Sequence, residues 1–98
     1  MRDEAKAEIK QLEEIITKAC FDSTQREAGK RAAIDPSPKH FGKWLRFDCE
    51  QIISTGDAAR VAAGLKAAGF KGWANRGVIA LLATRERAAG YFGYERGY

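Results

Sequence analysis

A chain of 98 residues can form one domain around one core, and has no length for a second. Its 17 Lys and Arg against 13 Asp and Glu leave a net charge of +4, and 45% of its residues are apolar, an ordinary globular balance. The longest apolar run, residues 78–83, is far too short to span a membrane, and the charged start from Arg2 onward argues against a signal peptide.

Alanine is the commonest apolar residue. Because alanine is the best helix former, the chain is expected to be all-α: a bundle of four to five short helices within a single domain, residues 1–98. Its core is thin, and six aromatics are expected to supply the bulk: Phe21, Phe41, Trp44, Phe47, Phe70 and Trp73. The charge is uneven. Residues 1–35 carry seven Lys or Arg against eight Asp or Glu, whereas residues 36–98 carry ten against five. A basic half of this kind suits nucleic acid or an acidic protein partner.

In chain order, the first helix is predicted over residues 3–20, where Ala5, Ile9, Leu12, Ile16 and Ala19 recur at helical spacing. The pattern favours packing within the chain and also admits a homodimer seam through this helix, although it lasts little more than two heptads. A break at residues 21–24 is followed by a capping-box pattern, Thr24 to Glu27, and a second helix over about residues 25–33. Pro36 and Pro38 mark a linker, with Ser37 as N-cap of a third helix over about residues 38–54. That helix would gather Phe41, Trp44, Leu45, Cys49, Ile52 and Ile53 on one face. Thr55 or Asp57 caps a fourth helix over about residues 57–68. Gly69 ends it as a Schellman glycine, with Phe70 set to return to Leu65. After a turn over residues 70–74, Asn75 caps a fifth helix from Arg76 to about Ala89, and Gly90 suggests a stop. Residues 90–98 are a glycine-aromatic tail, either latched to the core or loose.

The chemistry-bearing residues cluster in the basic half. The fourth and fifth helices outline a helix-turn-helix-like C-terminal half, although Gly69 and Lys71 sit badly in that register; two antiparallel helices in a plain hairpin are the favoured reading. A looser nucleic-acid surface draws on Lys66, Lys71, Trp73, Asn75, Arg76, Arg85 and Arg87, with Arg96 beyond them. A secondary basic cluster is formed by Lys39, His40, Lys43 and Arg46. Tyr91, Phe92, Tyr94 and Tyr98 could stack on bases or close the core. The turn residues 71–76, Lys-Gly-Trp-Ala-Asn-Arg, carry most of the functional weight.

Enzymatic chemistry is not expected. No Gly-rich phosphate loop is present, and Cys49 falls on an apolar face, where a buried structural thiol is the simpler reading than a nucleophile served by His40. Cys20, Cys49 and His40 lack metal-ligand spacing, so no metal and no cofactor are expected, and the two thiols suit a reducing, cytoplasmic setting. The expected function is that of a small basic nucleic-acid-binding regulator with its contact surface in the C-terminal half. The alternative is a helical protein–protein interaction module: an inhibitor, adaptor or accessory subunit.

Overall fold

The computed structural model of the chain describes residues 1–20 and 31–93. Among these, three helices cover one face of a four-stranded antiparallel sheet. The order is α1 (Asp3–Ala19), β1 (Lys39–Phe41), β2 (Trp44–Asp48), α2 (Thr55–Ala67), β3 (Gly72–Asn75), β4 (Val78–Leu82) and α3 (Arg85–Phe92). Two hairpins, β1–β2 and β3–β4, join through their second strands to give the sheet order β1-β2-β4-β3.

Helix α1 follows its sequence pattern closely. Ala5, Ile9, Leu12, Ile16 and Ala19 are its buried positions, all within the core of the same chain. Asp3 and Glu4 in the first turn and Lys18 in the last complement the helix dipole. Leu12 and Ile16 are fully covered, and burial of each contributes on the order of 2 kcal/mol. Helix α2 packs along α1 where Gly64 permits close approach: a Cβ there would stand 2.8 Å from Cγ2 of Ile15.

The end of α2 has the predicted Schellman geometry. The N–H of Phe70 donates to the Leu65 carbonyl at 2.9 Å, the N–H of Gly69 donates to Lys66 at 3.0 Å, and Gly69 is left-handed at φ 84°. The N-cap is Ser54, whose hydroxyl accepts from the Asp57 N–H at 3.0 Å, in place of the expected Thr55 or Asp57.

The all-α expectation is overturned. The segment 38–54 is a hairpin, with Gly42 at φ 59° as the first residue of a two-residue loop, the backbone that a primed hairpin turn requires. Ser37 caps no helix; its N–H donates to Oδ1 of Asp35. The predicted fifth helix divides into β4 and α3, so no helix-turn-helix exists in the C-terminal half. The reason is pairing. Residues 44–48 lie antiparallel to 78–82, and this register buries Leu45, Phe47, Ile79 and Leu81 on one face, which no helix over either segment would achieve. Gly90 does not stop a helix but lies buried within α3 against Ala5; the stop is Gly93, left-handed at φ 74°. Most of the predicted second helix lies outside the described residues, and 31–33 are not helical.

The core lies between the sheet and the helices. Phe47 is its largest fully buried side chain and meets Tyr91 edge to face at 5.2 Å. Three of the aromatics expected there, Phe41, Trp44 and Trp73, belong to the other face of the sheet, with Phe41 and Trp73 71% and 39% exposed. Phe21 lies outside the described residues.

Candidate nucleic-acid interface

Strand register determines which side chains share the uncovered face. Directly opposed residues point the same way, and alternate residues along a strand return to the same side. One row therefore runs Lys39, Arg46, Ala80, Trp73 across the four strands. A second runs Phe41, Trp44, Leu82 and continues to Lys71, whose carbonyl accepts the Leu82 N–H at 2.9 Å. A third, at the opposite end, joins Asp48, Val78 and Asn75.

Aromatic rings dominate this face. Trp44 and Trp73 pack edge to face with centroids 6.2 Å apart. They do so across β4, where Ala80 is completely buried although no helix or strand among the described residues covers that side. The two indoles form its roof. Phe41 stands open beside them, and the Lys43 ammonium, in the β1–β2 turn, lies 5.4 Å from the Trp44 ring centroid, within cation–π range.

Cations ring the aromatic patch. Lys39, Lys43, Arg46 and Lys71 are exposed, and Arg76 is exposed at the tip of the β3–β4 hairpin. That tip is held in place by Gly77, whose N–H donates to the Ile52 carbonyl and whose carbonyl accepts from the Cys49 N–H, both at 2.8 Å. Oδ1 of Asn75 accepts the Arg76 N–H at 2.8 Å, which fixes the amide and turns its NH2 group into the available donor. Asp48 is the acidic residue of the face, at the end away from Lys39 and Lys71.

The structure thus brings together two groups that the sequence separates. Lys71, Trp73, Asn75 and Arg76 from one predicted cluster join Lys39, Lys43 and Arg46 from the other. Four predicted site residues lie elsewhere. Lys66 is exposed in the last turn of α2, in the helical layer. His40 faces inward and stacks on Phe92, with ring centroids 6.4 Å apart. Arg85 lines a groove with Arg2, Glu4 and Glu86. Arg87 is committed to structure: it forms a two-point pair with Glu8, Nε to Oε1 at 2.9 Å and Nη2 to Oε2 at 3.2 Å, and also donates to the Leu82 carbonyl.

Tyr91 joins that pair through its hydroxyl, which donates to Oε1 of Glu8 at 3.0 Å. Burial, with the Glu8 charge beside it, pushes its phenol well above the usual tyrosine range. Of the tail's aromatics, Tyr91 and Phe92 close the core, while Tyr94 and Tyr98 lie outside the described residues. Burial also raises the Cys49 thiol, which holds it in the neutral form. Among the described residues no group of three or more His, Cys, Asp or Glu is placed to hold a metal ion, and no helix is long and apolar enough to cross a membrane.

Sequence reasoning counted Phe41, Trp44 and Trp73 all among the core aromatics, and named only Trp73 as a site residue as well. The signal that could have moved them is the pair of short glycine turns, 41–44 and 75–78, each flanked by residues of strand propensity. Comparison with family models, with curated proteins and with solved structures finds no match to this chain.

Proposed function

We propose that the chain binds nucleic acid through the uncovered face of its sheet. The observation that carries this reading is the solvent-facing Trp44–Trp73 pair, flanked by exposed Phe41 and bordered by Lys39, Lys43, Arg46 and Lys71. Exposed aromatic rings give planar surfaces for bases, and surrounding cations release counterions from phosphates. A self-sufficient surface has no need to leave large rings in water, because each exposed ring forgoes the gain from burial.

Salt dependence of binding tests the reading. Affinity for a mixed population of DNA and RNA fragments, measured by anisotropy, should fall at least tenfold between about 50 mM and about 200 mM salt. Lys39→Ala with Arg46→Ala should weaken binding and reduce the salt slope by about two. Absence of binding to every nucleic acid at about 50 mM salt would reject the proposal and turn attention to a protein occupant of the same face.

A further inference from the structure

The dimensions of this face bear on which form of nucleic acid it takes, given that it takes one. Four strands spaced about 4.8 Å apart place the backbones of β1 and β3 about 14 Å from one another. That is broader than the roughly 12 Å major groove, which admits a helix or a two-stranded ribbon. The rings themselves are also poorly placed for a duplex. Phe41 on β1 and Trp73 on β3 sit at opposite edges of the sheet, so bases resting on both would be roughly three to four times farther apart than the 3.4 Å or so between stacked neighbours. In a duplex, moreover, base faces are occupied by their neighbours and only edges are presented.

We infer that the ligand is a single strand of nucleic acid, laid across the sheet with unstacked bases on Phe41 and Trp73 and its phosphates against Lys39, Arg46 and Lys71. Trp44 is the divider between the two platforms. Its edge-to-face contact with Trp73 keeps the Trp73 ring in a fixed orientation, and the Lys43 ammonium near its own ring anchors it from the β1–β2 turn. Charge complementarity sets the direction of travel. The Lys39–Lys71 side of the face is cationic and the far row carries Asp48, so the phosphates follow the former. The Asn75 NH2 group is placed beside the Trp73 platform as a donor to a base edge. DNA and RNA share the chemistry used here.

Both tryptophans of the chain lie on this face, so intrinsic indole fluorescence reports on it directly. The experiment is a titration of the full chain at about 50 mM salt with three probes: single-stranded oligo(dT), single-stranded oligo(U) and a blunt duplex of equal length. Saturable quenching by either single strand, with the duplex at least tenfold weaker, is the expected result. Phe41→Ala, at a highly exposed position, should lower single-strand affinity about tenfold, as loss of one stacked base implies, with an unchanged far-UV spectrum. Trp73→Phe should retain most of the affinity and Trp73→Ala should not.

Equal or tighter duplex binding would overturn the single-strand inference while leaving nucleic-acid binding in place. So would ring removals without effect alongside a loss in the Lys39→Ala and Arg46→Ala variant. No quenching and no anisotropy change with any probe would overturn both readings.

Discussion

Trp44 and Trp73 meet edge to face with ring centroids 6.2 Å apart, although their strands are separated by β4 and share no hydrogen bond. Strands two places apart stand nearly 10 Å from each other, so both rings must lean inward over the strand between them. Trp73 is paired with Ala80 and Trp44 with Leu82, so the rings meet on a diagonal over β4, where the small Ala80 side chain leaves them room.

Ala80→Leu is therefore expected to part the indoles. The added methyl groups would enter a space that both rings already cover, at a cost of about 1 kcal/mol, since the rings can give way toward solvent. Denaturant unfolding should show that modest loss. Near-UV circular dichroism should show the larger change, because the coupled geometry of the two indoles is removed while the helices and the inner face remain.

The Glu8–Arg87–Tyr91 cluster ties α1 to α3 and to the end of β4. The Glu8 and Arg87 side chains are 20% and 15% exposed, so each depends on the other for most of its solvation. Arg87→Ala should cost about 2–3 kcal/mol by leaving the Glu8 carboxylate half-buried without its cation. Tyr91→Phe removes one hydrogen bond and keeps the ring against Phe47, so about 1 kcal/mol is expected. Urea midpoints of the two variants check the order.

The same cluster makes the fold sensitive to alkali. The Tyr91 phenol is held protonated in the native state above its ordinary value of 10.0, chiefly by burial and then by the Glu8 charge. The Cys49 thiol is raised above its ordinary 9.0 by burial. In each case the folded state binds the proton more tightly than the unfolded chain. The stabilisation is therefore complete below the unfolded values and is lost as pH rises beyond them toward the folded ones. Stability should fall from about pH 9, at up to about 1.4 kcal/mol per pH unit for each group. Tyr91→Phe should flatten the part of the decline above about pH 10, which thermal unfolding at stepped pH will show.

How much of this could be read from the chain differs from element to element. Helix α1 was legible because five apolar residues recur at helical spacing along its seventeen residues, long enough to fix the period. The Schellman turn was legible because glycine, an apolar successor and a leucine stand at fixed offsets. The sheet was not, because its strands are only three to five residues long. Over that length Phe41, Trp44, Leu45 and Cys49 satisfy a helical face, while Leu45, Phe47 and Cys49 satisfy alternation. Strand β4 alternates not at all, since four of its five residues are buried. The two basic clusters were each visible in the sequence, but their union depends on β2 pairing with β4, whose partners stand thirty or more residues apart, and no local pattern encodes that. For the same reason Phe41 and Trp44 read as core: hydrophobicity identifies a residue that avoids water, not one exposed for a ligand.

The largest single loss of stability is expected at Arg60. Asp57 is the one fully buried charged residue among those described, and its carboxylate is paired with the Arg60 guanidinium one helical turn on. Arg60 also donates from Nε to the Ala19 carbonyl at 2.8 Å, so it joins the start of α2 to the C-terminal end of α1. Its own side chain is 40% exposed and keeps contact with water. The two partners are therefore unequal. Arg60→Ala would leave the Asp57 carboxyl in the core without its counter-charge and free the Ala19 carbonyl, at a cost of about 3–5 kcal/mol. Asp57→Asn would keep the Arg60–Ala19 link and leave a cation that water can solvate. It would give up a favourable charge in the first turn of α2 and one charge-assisted bond, about 1–2 kcal/mol together. Guanidinium unfolding of the two variants should thus place Arg60→Ala well below Asp57→Asn, and equal losses would show that the pair acts through packing, not charge.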